Sequence, residues 1–463
     1  MDTVTGTSPG VAWNRRRLIR SGGAVVAAGG ALLAAACGGS PSGDGAASGQ
    51  QDAPARPLVN LDLFAYGTQV VAEQYDAIAR TFDARFAGRY SMTPTIVPFA
   101  EYIPKATTMF ASGTPPHVLN TWAQYKPEWA SKSLILDLSS RIKASKAANT
   151  SLFVQPMVDA MTWQGKLWGT AQDFNGMVLY LNEDLFAERG VALPTESWTM
   201  EQYRDLARRL TAPETNVFGT TNLANSNGAF NFALLWNYGK HFWVADDLAK
   251  SRVASPQSVQ MHEFFADMQY KDRSVPYRDN PLAAGRGRRQ GNVAMFLGWA
   301  NEPFWLTDTA QKEGRQLFRW RPILPPKGPQ DQRTFSQGHL WSIPKSAERP
   351  DDSWVLAEWI GGMEGWREWV QSHRQPLPVR DPALWRVFYN FLPDDQATMM
   401  ADFVVQRVYG GAAFNFQYWP SFGDCQRVMT DALRAIYMEG GNVKTTLDDA
   451  ARKMDAVLQQ AKQ

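Results

Sequence analysis

Cysteine is nearly absent: Cys37 and Cys425 are the only two in 463 residues. That excludes a disulfide framework and a thiolate metal cluster, since both need several. Histidine is scarce as well. His117, His241, His262, His339 and His373 are scattered without HExxH or paired spacing, so no metal site and no cofactor is expected. Charge of one sign is missing too. Lys and Arg number 47 against 45 Asp and Glu, a net of +2, which leaves no field to attract nucleic acid. The apolar run from Ser21 to Ala36 falls short of the ~20 residues that a membrane-spanning helix needs. Gly285 to Gly291 holds a local basic cluster but lacks the strand–loop–helix context and lysine of a phosphate loop, so a solvated loop is expected there. No internal repeat is visible.

What is present begins with an address. Arg15-Arg16-Arg17 precedes Leu18-Ile19, the small-residue apolar run follows, and it ends at Ala35-Ala36-Cys37-Gly38. A cationic start, a short apolar middle and small residues before a cleavage point describe an export signal. The paired arginines are similar to a Tat-type signal, and Cys37 is similar to a lipobox cysteine, although Leu33 stands four residues before it rather than three. A permanent membrane anchor or a secreted form without lipid are the alternatives. Ser40 to Pro57 is nearly all Ser, Gly, Ala, Gln, Asp and Pro, a composition that buries too little apolar area to fold and suits a flexible tether. The Gly6-Thr7-Ser8-Pro9-Gly10 pattern of a nucleophile elbow lies ahead of the arginines, in the part to be removed.

The remaining chain is too long for one ordinary core and suits two lobes. Leu58 to Phe64 alternates with period two and reads as a strand, and Val71, Tyr75, Ile78, Phe82 and Phe86 follow helical spacing. Thr93 to Phe99 is a second strand, Tyr102 to Ala111 a second helix, and His117 to Thr121 a third strand. Strand–helix alternation predicts a parallel sheet covered on both faces, with ligands beyond the carboxyl ends of the strands. Farther on, Thr199 with Gln202 forms a capping-box pattern, and Ser255-Pro256 reads as a helix cap followed by proline. Aromatic side chains are abundant, with 18 Trp, 14 Tyr and 24 Phe. Because a buried indole N–H needs a partner, that many predicts that some of them line a cleft.

Gly113-Thr114-Pro115-Pro116-His117-Val118-Leu119 followed by Trp129 to Leu138 resembles the family 1 extracellular solute-binding proteins of carbohydrate ABC importers, the group that includes maltose-binding protein. His117 stands where the family usually has Asp. Further matching pieces follow in the family's order: Gly165 to Gly169, Gln172 to Asn175, Leu179 to Phe186, Gly291 to Met295 before Gly298-Trp299, and Pro322 to Pro326. The resemblance implies an α/β, periplasmic-binding-protein-like fold of two lobes, each with a mainly parallel sheet flanked by helices, joined by a multi-strand hinge. The expected division is residues 1–36 as Tat-like lipoprotein signal, 37–57 as linker, 58–172 with 338–375 as lobe 1, and 173–337 with 376–463 as lobe 2. It further implies a monomeric, non-enzymatic subunit that captures a sugar or oligosaccharide by closing its lobes and delivers it to a membrane permease.

Sugar recognition needs apolar ring faces together with amides and carboxylates for the hydroxyls. Stretches with that mixture supply the candidate ligand contacts Trp122, Gln124 and Tyr125, then Trp299, Asn301 and Glu302, then Tyr418 and Trp419. Trp299 falls at the family's stacking tryptophan. Asp173 and Asn175 at the first expected crossing, Tyr66 and Thr68 after the first strand, Asn225, Trp236, Trp341 and Arg374 complete the set. Thr68 and Gln69 are uncharged where maltose-binding members carry charge. Two other readings stand beside this one. A secreted glycoside hydrolase would need two carboxylates across a cleft, for which Asp173 and Glu302 are the candidates. A binder of polyamines, iron or peptides would want carboxylate or Tyr and His clusters.

Overall fold

The strand read from Leu58 to Phe64 forms as β1, Val59–Tyr66. Its first half alternates, with Leu61 and Leu63 inward and Asn60 and Asp62 outward, and then it is buried on both faces. The computed structural model describes residues 57–226, 230–276, 287–372, 375–416 and 418–461. The expected signal and linker therefore lie outside the described residues, apart from Pro57.

Tyr90–Val97 forms β2 and Val118–Trp122 forms β3, and both pair with β1 in parallel. The helices Gln69–Arg85 and Phe99–Ser112 make the crossovers. The first buries Tyr75, Ile78, Ala79 and Phe82 along one face. The second begins three residues earlier than the spacing suggests. It stops at Gly113, whose φ of 71° is the left-handed conformation that lets its N–H close on Met109 and Phe110 carbonyls.

Further along come the two-stranded hairpin β4 (Thr162–Trp163) and β5 (Lys166–Leu167), then β6 (Thr170–Asn182), β7 (Phe218–Thr220), β8 (Val293–Trp299), β9 (Trp320–Ile323), β10 (Thr334–Ser342) and β11 (Ala413–Asn415). The main sheet runs β2-β1-β3-β10-β6-β8-β7, with β11 beside β10 and β9 beside β6. It is mixed: the outer pairs are parallel, whereas β10 is antiparallel to β3 and β6, and β6 is antiparallel to β8 and β9.

The antiparallel pairs all involve two long strands, and these organise the molecule. Residues 170–176 of β6 pair with β10, and residues 177–181 pair with β8. One continuous strand thus serves both halves of the sheet. Asp173 and Asn175, expected just after a strand, sit inside this one, because the chain switches neighbours without turning. The register between β6 and β10 shifts at His339/Leu340, a bulge of the kind that re-aims a side chain.

Locally encoded features form as read. The Thr199–Gln202 capping box has both of its hydrogen bonds, and Ser255 accepts from the Ser258 N–H ahead of the helix Pro256–Tyr270. The final helix, Val443–Gln460, buries Leu447, Met454 and Leu458. Among the described residues no helix is long and apolar enough to cross a membrane.

Candidate ligand-binding cleft

Two neighbourhoods gather the sequence-selected residues. The first lies where β1, β3, β6 and β10 meet. Tyr66, ending β1, meets Trp122 edge-on at 5.1 Å and the His339 ring at 5.9 Å. Trp122 stacks between Phe99 at 4.6 Å and Tyr102 at 5.7 Å, so its flat faces are occupied. At the bulge, Asp173 accepts the His339 backbone N–H at 3.2 Å and faces the ring Nδ1 at 2.6 Å. Burial raises the Tyr66 phenol pKa, and the nearby Asp173 charge adds to the shift. Gln124 accepts from the Gln337 amide at 2.8 Å. Tyr125 packs between Trp122 and Trp129, and Thr68 is exposed at the start of the first helix.

The second neighbourhood is at the end of β8. The Asn175 carbonyl oxygen accepts from the Ala300 N–H at 3.1 Å, and its amide lies 3.5 Å from Asn301. Trp299 is half-buried against Phe335. Glu302 is only 2% exposed and holds Arg288 at 3.1 Å and Arg289 at 2.9 Å. That corrects the solvated-loop expectation for this part of the basic cluster: a carboxylate so deeply buried needs counter-charges, and these two arginines supply them. It also means that Asp173 and Glu302, the pair a hydrolase would require, are each committed to a protein partner.

Four other candidates stand apart. Trp341 is fully buried against Tyr75 and offers no face to a ligand, a core residue rather than the contact expected. Trp236 donates to Asp331 at 3.1 Å and packs on Phe242. Tyr418 and Trp419 lie on the wall of a cleft described next. Arg374 and the side chain of Asn225 lie outside what the structure describes.

The cleft has a volume of ≈ 1030 Å³. One wall comes from segments that precede β6: Lys126, Gln155, Asp159, Trp163 and Gln164. The other comes from segments beyond it: Phe242, Asp246, Asp247, Phe416, Tyr418 and Trp419. Trp163 is placed by the β4–β5 hairpin, whose two turn residues, Gln164 and Gly165, both have positive φ (50° and 72°). That is the geometry of a tight two-residue turn. Lys126 donates to the Ala160 and Thr162 carbonyls, each at 2.6 Å, closing the carboxyl end of the helix Gln155–Met161. Burial brings its pKa down to about 7, with the Asp159 charge pulling the other way.

The sequence reading missed Trp163, Phe242, Lys126 and the three aspartates. A tryptophan against a Gln-Gly turn was the available signal for Trp163. Nothing local marks the others, because the wall they form is assembled from distant segments.

Comparison with known proteins bears on the family and the fold. Residues 77–384 match the family described as bacterial extracellular solute-binding protein. A Brucella abortus (strain 2308) protein named as a binding protein is 20% identical over 390 residues, covering 83% of this chain and 89% of its own. A Listeria monocytogenes ABC substrate-binding protein solved with cycloalternan superposes with a TM-score of 0.73 at 16% identity, covering 87% of this chain and 100% of that one. A Thermotoga lettingae solute-binding protein solved with α-D-tagatose gives 0.70 at 17% identity, covering 86% and 99%. The sugar-binding protein MalE of Xanthomonas citri also gives 0.70, at 16% identity, with 87% and 98% covered. At these identities the structural likeness establishes the fold, and the family match, which spans more than half of the sequence, establishes the rest: the chain belongs to the bacterial extracellular solute-binding proteins, an exported group whose work is to bind.

Proposed function

We propose that this protein is the substrate-binding subunit of an ABC importer, tethered outside the cytoplasm by a lipid on Cys37, and that it captures an oligosaccharide and passes it to a permease. The observation that carries the reading is the cleft, in which Trp163, Phe242, Phe416, Tyr418 and Trp419 stand among amides and carboxylates. Its volume sits at the top of the ~300–1,000 Å³ range of small-molecule sites, which favours several sugar rings over one. The carbohydrates named with two of the structural relatives, cycloalternan and α-D-tagatose, support a sugar as the ligand.

The proposed lobes are 58–172 with 338–375 and 173–337 with 376–463. The division is supported by β6, whose pairing changes from β10 to β8 at residues 176–177. A ligand touching both walls binds the closed form better than the open one, and that difference drives closure. The sequence-selected contacts Tyr66, Gln124, Asp173, Asn175, Trp299 and Asn301 remain part of the proposal, although none of them lines this cleft.

Calorimetry against neutral gluco-oligosaccharides, linear and cyclic, tests the reading. Trp163→Ala is expected to weaken binding ten- to a hundredfold, about 1.4–2.7 kcal/mol, as loss of an aromatic contact in a binding site does. It should leave the melting temperature of the ligand-free protein within a few degrees, because Trp163 is half-buried on a short hairpin. Unaltered affinity would remove the cleft from the account. Silence towards every oligosaccharide would remove the sugar.

The tether has its own test. The wild-type protein made in its host should partition into detergent and with membranes, whereas Cys37→Ala should be recovered from the aqueous phase. A single acyl chain gives only weak, reversible membrane binding, so diacylation of Cys37 is the form expected to hold. Equal partitioning of the two would refute lipidation at Cys37.

A further inference from the structure

The first three strands each deliver an aromatic ring at their carboxyl end. Tyr66 closes β1, Phe99 follows β2 after Pro98, and Trp122 closes β3. The three rings touch one another: Tyr66 meets Phe99 edge-on at 5.5 Å and Trp122 at 5.1 Å, and Phe99 stacks on Trp122 at 4.6 Å with 18° between the planes. Trp122 in turn lies on Tyr102, so Tyr102, Trp122 and Phe99 form a pile with Phe99 outermost. Tyr102 is fully buried and Trp122 is 4% exposed, whereas Phe99 is 63% exposed. Its inner face is taken by Trp122, and its outer face is open. Of the exposed large apolar side chains among the described residues, Leu58, Val70, Phe99 and Met438, it is the one aromatic. Its backbone is fixed at the start of the helix Phe99–Ser112, where the Glu101 N–H closes on the Pro98 carbonyl at 2.9 Å.

A polar group borders this platform. Asp173 is 4% exposed and spends one oxygen, Oδ1, on both the backbone N–H and the ring Nδ1 of His339. Its other oxygen, Oδ2, makes no hydrogen bond among the described residues and still reaches solvent. The Tyr66 hydroxyl, on a half-buried side chain, likewise has no partner there and is not enclosed. Because the His339 ring lies 5.9 Å from Tyr66, the carboxylate and Phe99 border the same tyrosine. A nearly buried carboxylate oxygen with no protein donor, yet open on one side, is an acceptor for a donor that a ligand brings.

We infer that the carboxyl ends of β1, β2 and β3 form a sugar-ring subsite, with Phe99 as the stacking platform and Asp173 Oδ2 and the Tyr66 hydroxyl as partners for ring hydroxyls. The inference rests on the sugar reading above and adds a contact surface apart from the cleft wall that carries Trp163. In parallel sheets ligands lie beyond the carboxyl ends of the strands, which is where these groups converge. A pyranose joins a face of C–H groups to a rim of hydroxyl donors, and an open aromatic face beside an unpaired carboxylate oxygen matches both. A purely apolar occupant would cover Phe99 but leave that oxygen without a donor, at the cost of its desolvation.

Titration calorimetry of the mature protein with linear and cyclic neutral gluco-oligosaccharides tests this. Phe99→Ala is expected to weaken binding about tenfold or more, and Phe99→Trp, which keeps an aromatic face, should bind as the wild type does. Asp173→Asn retains an acceptor oxygen for His339 but puts a donor where Oδ2 was, and a loss of about tenfold is expected. Leu58→Ala removes a comparably exposed apolar side chain at the other end of β1 and should leave affinity unchanged. Light scattering of the wild type and Phe99→Ala, run in parallel, reads self-association. Unaltered sugar affinity in Phe99→Ala would overturn this inference and leave the oligosaccharide reading standing. Self-association lost in Phe99→Ala while sugar affinity holds would assign the face to a second copy of the chain, and so would also overturn it. A wild-type protein that binds no oligosaccharide would overturn both readings.

Discussion

A Gly219→Ala variant is expected to lose on the order of 3–5 kcal/mol of stability, a very large effect for one methyl group. Gly219 is the middle residue of β7, flanked by Phe218 and Thr220, which pair with Val293 and Met295 of β8. Its open face lies against the last turn of the helix Met200–Arg209. A Cβ there would stand 1.9 Å from the Ala207 carbonyl oxygen and 2.5 Å from the Ala207 carbonyl carbon and Cα. All three are backbone atoms, so no rotamer change relieves the clash and the helix must move off the sheet. The approach is held on both sides, because Thr211 Oγ1 donates to the Ala207 carbonyl at 2.7 Å and accepts the Gly219 N–H at 2.9 Å. Gly410→Ala is the matched control: its new methyl would meet nothing closer than 3.7 Å, so a change within about 1 kcal/mol is expected. Urea denaturation of both variants measures the contrast. If Gly219→Ala unfolds at the wild-type midpoint, the helix is not seated on β7 as described.

Gly219 illustrates what the sequence conceals. Neither the glycine nor Ala207 carries a local signal, and the requirement arises only when a strand and a helix are brought within van der Waals contact. Features that depend on a few neighbouring residues were readable: the period-two pattern of Leu61 and Leu63, the Thr199–Gln202 capping box and the Ser255-Pro256 start. So was the parallel order of the first three strands, because crossover helices permit little else.

Long-range pairing was not readable. Glu302 reads as a sugar contact from its place near Trp299, and nothing nearby announces that Arg288 and Arg289 fold back onto it. Trp341 was selected for its residue type, yet its place in β10 turns it towards Tyr75 and the core. The resemblance motifs reached the fold because they record many such long-range choices at once. They could not report the lining of the cleft, which depends on side chains that no motif contains.

Acid should expose a weakness in the wall of that cleft. The unfolding free energies of the wild-type protein and a His262→Gln variant are expected to diverge as pH falls from about 6.5 towards about 3, by roughly 1.4 kcal/mol per pH unit. His262 is fully buried, and burial pushes its pKa from 6.5 down to about 3. Its Nδ1 lies 2.7 Å from the Tyr437 hydroxyl, and its Nε2 lies 3.4 Å from the Asn231 amide nitrogen. Because Asn231 Nδ2 can only donate, Nε2 must accept and the single ring proton belongs on Nδ1. A second proton would point directly at an N–H group.

The folded protein therefore keeps this ring neutral where the unfolded chain protonates it. Stability from the neutral ring is complete above pH 6.5 and is withdrawn as pH falls towards the folded value. Glutamine offers hydrogen-bonding groups without titrating, so other acid-sensitive groups cancel in the difference between the two proteins. The Asn231 carbonyl oxygen also accepts from the Trp243 indole at 3.1 Å, and Trp243 lies between two cleft-lining residues, Phe242 and Val244. Loss of the network would be felt first where ligand is held. Chemical denaturation at pH 4, 5, 7 and 8 is the measurement, and parallel pH profiles for the two proteins would show that His262 is not the group that titrates.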